Sequence, residues 1–489
     1  MHFLFDTNIL IPLEPTSPGD LEPATPNAVY LIRSIYENGH QVFVHPASLL
    51  DLERDRNVQR RELRKVLLNK YSRLEGSGVS SGLVAVIGES AFGSNDYCDD
   101  LLLDAVFRDA VDWLVTEDER LRKKAQRAGL SERILSVQAA IQVVSDLSER
   151  PIAPPPDVEC TKAYNLDCTD PIFDGLRQDY PGFDAWFARC RREHRLTWII
   201  RHPSSSKVGA LCLVKPEDVP PGQLRGRTLK ICTFKVSDEC LGYRYGELLL
   251  KTIFEHIIEN KYDWGYVTVF PRHEELLRLL EDFGFAPMNT KTELGEYIYV
   301  KPFSEVSDKA IGLSAFEYHV RYGPRKMRFN AAETYLVPIR PQYADRLFPE
   351  TADYVPLFRD TNPCGSAIRK AYLCHSLISS LKQGSILLFY RSQSRQGLIA
   401  VGVVESACRS RSPSEIARLV ARRTVYTMRN IEQLCTKDVL VVLFRQSRIF
   451  RSVVPPKEAI GAGIMTNPPQ SVMKIREEGA AWIHRLICQ

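Results

Sequence analysis

Four stretches, FDTNIL (5–10), HPASLLDLERD (45–55), NDYCDDLLLDAV (95–106) and LVTEDERLRKKA (114–125), decide how the first third of this chain is read. HFLF, QVFVH and WLVT are short apolar runs that predict strands, and ERILSV predicts one more. NAVYLIRSIYENG, DDLLLDAVFRDAV and the basic ERLRKKAQRAGL predict helices between and after them. Strands alternating with helices argue for a parallel sheet flanked by helices. Sites in such sheets lie outside the carboxyl ends of the strands. Asp6 ends the first strand and Asp51 stands on the helix after the second. Asp96, Asp99 and Asp100 open the helix that leads into LLLDAV, and Asp118 follows the third strand. All of them can therefore converge on one edge of the sheet. Converging carboxylates repel one another and take up protons unless a cation neutralises them. Ligation by oxygen alone favours Mg²⁺ or Mn²⁺ over zinc. The plain alternative is that these acids are helix caps and surface charges.

Together the four motifs resemble a PIN domain, a family made up largely of metal-dependent ribonucleases, over about residues 1–145. The resemblance implies Asp6, Asp51, Asp99 and Asp118 as catalytic metal ligands. Glu53 competes with Asp51, and Asp96 and Asp100 compete with Asp99. Thr116 would support the ligand loop by hydrogen bonding. The reaction implied is attack of metal-activated water on phosphorus. PIN ribonucleases often serve as toxins, so the resemblance also implies an antitoxin or regulatory protein as partner and a toxin or defence role.

The chain has 489 residues, enough for about three domains. Hydrophobic residues make up 44% and charged residues 25%, which excludes wholesale disorder. No stretch approaches the ~20 apolar residues of a membrane span. MHFLFDTNILIPLEP lacks a basic leader and reads as a buried strand rather than a signal peptide. The twelve cysteines are scattered singly, without a CxxC pair, and read as reduced core thiols of a cytoplasmic protein. The net charge of +4 is uneven. It divides into roughly −6 for residues 1–150, −2 for 151–303 and +12 for 304–489. Basic charge at one end fits a module that binds a polyanion such as RNA.

Two boundaries follow: a proline-rich linker, SERPIAPPPDVE (148–159), and a change of character at KPFSEVSDKAIG (301–312). They predict domains at 1–147, 160–303 and 304–489. In the middle domain the strand-like LTWIIR, ALCLVK and TLKICTFKVS precede the helical GYRYGELLLKTIFEHIIENK. Strand WGYVTVFP, helix HEELLRLLEDFGF and strand EYIYVKPF then close it. A strand, glycine turn and helix make an anion site, because free N–H groups point out of the helix start. This order resembles the GNAT acyltransferase fold over about residues 160–303. FKVSDECLGYRYGELLL (234–250) resembles its cofactor motif and LLEDFGF (279–285) its closing motif. The resemblance implies acetyl-CoA held by Lys235, Val236, Gly242, Arg244 and Gly246. It departs from the family pattern at Arg244, where a glycine is usual, and at Leu280, where many members carry a tyrosine acid.

The last domain shows short β-branched runs: AETYLVPIRPQYADRLFPE, GSILLFYRS, GLIAVGVVES, RTVYTM and DVLVVLFRQS. Turn signals between them argue for a small β-barrel. VPIRPQYADRLF (337–348), GSILLFY (384–390) and AVGVVES (400–406) resemble the PUA-like superfamily, in particular ASCH and EVE domains, mostly RNA-binding modules. Interleaved aromatic and basic residues can stack bases and neutralise phosphates. On that ground Tyr390, Arg391, Arg395, Arg422, Arg423, Arg369 and Lys370 are the candidate RNA-binding set. Phe389 reads as barrel core, and Tyr390 can be read either way.

The expected fold is thus α/β and multidomain: a PIN-like parallel sheet, a GNAT-like mixed α/β domain and a PUA-like barrel. The expected function is metal-dependent RNA cleavage. The rivals are an acetyl-CoA-dependent N-acetyltransferase acting on RNA or protein, and a non-catalytic RNA-binding regulator.

Overall fold

In a computed structural model, the apolar runs at the start of the chain form a five-stranded sheet. Its strands are β1 (His2–Phe5), β2 (Gln41–Val44), β3 (Ser72–Arg73), β4 (Trp113–Val115) and β5 (Ile134–Leu135). The structure describes the chain apart from residues 18–21, 77, 149–155, 203–204, 223, 306–309, 352–364, 366, 380, 422 and 489. Most of the expected proline-rich linker, and Arg422, lie outside the described residues.

The sheet order is β3-β2-β1-β4-β5 and every pairing is parallel, with Phe3 opposite both Val42 and Trp113, and Phe5 opposite Val115. All three residues of β4 are buried, as expected of a parallel strand covered on both faces. The covering helices are α1 (Thr7–Leu13), α2 (Thr25–Glu37), α3 (Pro46–Leu52), α4 (Val58–Leu68), α5 (Ser81–Ile87), α6 (Asn95–Phe107), α7 (Glu119–Arg127) and α8 (Val137–Leu147). Leu83, Leu102, Leu103, Val106 and Leu121 pack with Leu4 and Leu114. The strand order reverses at β1, which has β2 on one side and β4 on the other. The crevice beyond the carboxyl ends of β1 and β4 is therefore where an open α/β sheet places its site.

The chain folds as two compact units. The first joins Met1–Arg150 to Ser412–Arg422 and Tyr426–Gln433, and the second holds Pro151–Arg411, Arg423–Val425 and Leu434–Gln489. The modules expected at 160–303 and 304–489 thus share the second unit, except for the excursion that joins the first. That excursion carries the helices Pro413–Val420 and Met428–Leu434. Arg418 pairs there with Asp109 at 2.7 Å and with Asp112 at 3.8 Å, and Arg133 also reaches Asp109 at 2.6 Å. Asp112 in turn accepts the His2 amide at 2.8 Å. These contacts lie at the amino ends of β1 and β4, away from Asp6 and Asp118. RTVYTM, expected as a strand, is not one: residues 423–427 lie outside regular structure and Met428 begins a helix. Its β-branched residues are buried without joining a sheet.

The second unit contains two sheets. The first is made of β6 (Glu159–Lys162), β7 (Leu196–Arg201), β8 (Val208–Glu217), β9 (Thr228–Val236), β10 (Trp264–Val269), β11 (Ala286–Lys291) and β12 (Tyr297–Pro302). Its order is β11-β12-β10-β9-β8-β7-β6, antiparallel except for the parallel pair β9–β10. A parallel pair needs a crossover helix. After α9 (Asp174–Asp179) and α10 (Phe183–Arg192), that crossover is α11 (Tyr245–Glu259), and α12 (Glu274–Asp282) follows β10. The second sheet is made of β13 (Thr334–Ile339), β14 (Arg369–Cys374), β15 (Ile386–Arg391), β16 (Gly397–Ser410), β17 (Val439–Val454) and β18 (Met473–Lys474). Its order is β14-β17-β16-β15-β13-β18, so the expected barrel is observed as a mixed sheet with β14 and β18 at its edges.

Ser410 and Val439 are register partners, so the excursion leaves and re-enters the second unit at adjacent backbone. Ile416→Ala combined with Ile431→Ala, one change in each helix of the excursion, is expected to leave the β16–β17 pair intact and to destabilise the first unit. Ile416, Val420 and Ile431 are all buried, and losing such a side chain's burial costs about 1.5–3 kcal/mol each. Urea unfolding followed at Trp113 should shift to lower denaturant, and an unchanged midpoint would show that the excursion does not support the first unit.

Candidate functional site

Asp6 is the N-cap of α1, extended at φ −71° and ψ 158°. The same carboxylate is buried and fully engaged. Oδ1 accepts the Thr7 amide at 2.6 Å, and Oδ2 accepts Asn8 Nδ2 at 2.7 Å and the Thr116 hydroxyl at 2.6 Å. Thr116 Oγ1 also accepts the Asp118 amide at 3.0 Å and Asn8 Nδ2 at 3.1 Å. Asn8 Oδ1 takes the Glu117 amide at 3.2 Å. Asn8 and Thr116 thus tie the end of β1 to the turn after β4. Asp118 is the N-cap of α7, and its Oδ1 accepts the amides of Arg120 at 2.6 Å and Leu121 at 3.2 Å. Asp51, on α3, uses Oδ1 for Arg54 at 3.0 Å.

Asp99, on α6, is half-buried and accepts no hydrogen bond from any described residue. Burial first, then the neighbouring charges of Asp6, Asp118 and Asp96, push it up to about 7 despite Lys124 nearby. Burial likewise pushes Asp6 up to about 6. Its hydrogen bonds from Thr116 and Thr7 oppose that rise, while repulsion from Asp118 and Asp51 adds to it. Asp6 therefore lies within electrostatic range of Asp51, Asp99 and Asp118, and Asp99 within range of Asp118.

They are not assembled into a ready cage. Among the described residues, no three His, Cys, Asp or Glu side chains are grouped as a metal-ligand set. The physical reason is visible in the hydrogen bonds: three of the four carboxylates are turned to local partners, two of them to helix amides. Asp51 and Asp118 do so through one oxygen only, and Asp99 keeps both of its oxygens. The remaining donors are hard carboxylate oxygens beside two acids pushed toward the neutral form, which fits a divalent oxygen-seeking cation.

The competing acids are placed elsewhere. Asp100 is 2% exposed and pairs with Lys124 at 2.9 Å, so it is a buried partner of α7 rather than a ligand. Asp96 is exposed and shares Lys124 at 3.3 Å. Glu53 pairs with Lys65 at 3.3 Å. Lys124 and Asn8 are the residues that sequence reading missed. Asn8 stands two positions after Asp6, but Lys124 reaches α6 from a separate helix, and no local pattern announces that.

In the second unit, Arg244 takes up the left-handed conformation (φ 57°) at the start of α11, and Gly242 stands at φ 91°. Arg244 turns inward to Glu247 at 2.7 Å. Glu247 also accepts the amides of Ile368 at 2.8 Å and Arg369 at 3.3 Å. Gly246 lies where a Cβ would stand 3.0 Å from Leu279, so its small size serves the packing of α11 on α12. Lys235 and Val236 are half-buried at the end of β9. Leu280 is buried in the apolar core. The Arg244 side chain is thus committed to Glu247, and position 280 carries no side chain able to give a proton.

Most of the candidate RNA-binding set is corrected by the structure. Tyr390 is 0% exposed and packs with Leu336, Leu388 and Ile483. Arg391 is buried on Asp345 at 2.6 Å. Lys370 is 0% exposed and donates to the Gly365 carbonyl at 3.3 Å. Arg369 and Arg423 both hold Glu405, through Arg369 Nε at 3.1 Å and Arg423 at 3.3 Å. Phe389 is core, as expected. Every residue of β15 is buried, so both faces of that strand are covered, and its alternation cannot present an outer face. Arg395 alone of the set is exposed among the described residues.

No protein-family model matches the sequence, and no curated protein matches it. Among solved structures, the chain is similar to ASCH from Zymomonas mobilis at 11% identity, over 32% of this chain and 95% of that one, with a TM-score of 0.25. It is similar to a GNAT-family acetyltransferase from Desulfovibrio desulfuricans at 12% identity, over 30% and 99%, with a TM-score of 0.24. The NatC complex bound to Gag peptide and CoA is similar at 13% identity, over 30% and 99%, with a TM-score of 0.23. These likenesses leave the amino-terminal sheet unassigned. No helix among the described residues is long and apolar enough to cross a membrane.

Thr116→Val keeps the side-chain shape but removes the hydroxyl shared by Asp6 and Asp118. A buried carboxylate and an amide each lose a partner, which is expected to destabilise the first unit by about 1–3 kcal/mol. Urea denaturation measures this, and a variant as stable as the parent would show that the hydroxyl does not hold the edge together.

Proposed function

We propose that the acidic edge of the first unit cleaves RNA with a bound divalent cation, as the PIN resemblance implies. The observation that carries the reading is Asp99: it is half-buried, accepts no hydrogen bond from a described residue, and is pushed up to about 7 by burial first and then by the charges of Asp6 and Asp118. A protein gains nothing in stability by burying a carboxylate against two others, and groups perturbed in this way mark functional sites. Asp99 and the free oxygens of Asp51 and Asp118 would hold the cation, with Asp6 beside them, fixed by Asn8 and Thr116. When bound, such a cation supplies an activated water and neutralises phosphoryl oxygens in an in-line displacement. Arg120, Lys123 and Arg127 are exposed on α7, the helix that Asp118 caps. They would draw the phosphate backbone toward the acids, in a manner that weakens with salt.

RNA cleavage by the full chain should require Mg²⁺ or Mn²⁺ and stop in EDTA. Asn is as good an N-cap as Asp, so Asp118→Asn should fold normally, whereas Asp6→Asn turns an NH2 group toward the Asn8 and Thr116 donors and its rate is read after circular dichroism shows it folded. Each is expected to lower the rate by at least about a hundredfold through loss of one ligand charge. EDTA-resistant cleavage, or full activity in both variants, would refute the proposal.

A further inference from the structure

The second unit contains a cavity of about 40 Å³, lined among others by Lys251, Lys301, His319, Arg445, Gln446 and Arg448. One water needs roughly 10–15 Å³ measured this way, so the space exceeds a single water. Glu255 is the one acid among the described lining residues, and it is exposed.

Phe254, Phe283, Val320, Pro324 and Ile368 make much of the wall apolar, and the polar groups set into it are mostly cationic. Lys301 is 1% exposed and donates to the carbonyls of Val320 at 2.8 Å and Arg321 at 3.0 Å. An ammonium has three protons to give, and two are accounted for. Gln446 is 6% exposed and its Oε1 has no partner; Arg445 Nε, also buried, has no hydrogen bond. That same Nε is ion-paired at 3.4 Å with Glu405 Oε2, the carboxylate already shared by Arg369 and Arg423. Arg369, Arg423 and Arg445 therefore share Glu405, Asp282 pairs with Arg369 at 3.3 Å as the second carboxylate, and Lys301 lies nearby. Buried charge is costly unless it is paired and hydrogen-bonded, and here cations outnumber anions.

We propose that this cavity binds a phosphate-sized oxyanion, either the free ion or a terminal phosphate group. The anion would accept from Lys301 and Arg445, and from the Gln446 carboxamide, whose nitrogen and oxygen are interchangeable by rotation. It would also lift a repulsion that the fold otherwise carries. Burial holds His319 down at about 3, with Arg445 and Lys301 adding to the effect, and burial together with Arg445 and Arg321 depresses Lys301. The inference does not depend on the acidic edge of the first unit.

The test is calorimetry and thermal melting of the full chain with sodium phosphate, against sodium chloride at equal ionic strength. EDTA is present throughout, so that no cation bridges phosphate to the acids. Phosphate should bind saturably and raise Tm as the logarithm of its concentration above Kd. Gln446→Leu and Lys301→Met should each weaken phosphate at least about tenfold, or about 1.4 kcal/mol. Lys301→Met also strips the Val320 and Arg321 carbonyls of their donor, so the melting temperature of each variant in chloride is the reference for its own shift in phosphate. If Lys301→Met does not fold, Gln446→Leu alone decides. Adenosine monophosphate competing with phosphate would assign the site to a terminal phosphate group, and failure to compete would assign it to the free ion. Phosphate no more stabilising than chloride, or unchanged phosphate binding in Gln446→Leu, would overturn the proposal.

Discussion

The hydroxyl of Thr116 is the single atom on which the acidic edge depends. It donates to Asp6 and accepts from the amide of Asp118, and so joins the residue that ends β1 to the cap that begins α7. The parallel register of β1 and β4 brings the two strand ends side by side. Asn8 adds a second tie between Asp6, Thr116 and the Glu117 amide. Like charges would otherwise drive these carboxylates apart. Backbone amides, the Asn8 amide and one hydroxyl hold them instead, and burial first, then their mutual repulsion, raises the carboxyls of Asp6 and Asp99. The geometry is preorganised at Asp6 and open at Asp99.

Much of this was legible because it is local. A buried apolar run ending in a carboxylate places that carboxylate at the end of its strand, and Asp6 and Asp118 are each read from fewer than ten residues. The same locality explains the failures. The two-residue strand β3 carries no pattern, and β6 and β11 are mostly exposed or half-buried, so neither showed an apolar run. RTVYTM has the composition of a strand, but its backbone lies outside the sheets. Asp100 could not be separated from Asp99 without Lys124, which reaches it from 24 residues away. Nor does anything in residues 412–421 and 426–433 announce that they join the first unit.

The basic carboxyl-terminal part shows how charge can mislead. Its surplus of arginine and lysine suggests a surface for a polyanion. Much of that charge instead holds the fold. Arg391 is fixed on Asp345, Arg409 on Asp438, and Arg448 on the last carbonyls of the helix Glu477–Cys488. Arg369, Arg423 and Arg445 converge on Glu405. Breaking such a buried set by removing its one acid is far more damaging than its net contribution suggests. The inward turn of Arg244 onto Glu247 belongs to the same pattern, and it links the start of α11 to the chain entering β14.

The central claim is that four carboxylates at the edge of the first sheet form a cation site. Calorimetric titration of Mn²⁺ into the full chain and into Asp99→Asn tests it without reference to catalysis. Asp99 accepts no hydrogen bond from a described residue, so the variant should fold as the parent does. The account predicts saturable Mn²⁺ binding to the parent and at least about tenfold weaker binding to Asp99→Asn, a loss of about 1.4 kcal/mol. Equal binding by the two proteins, or no saturable binding by the parent, would contradict it.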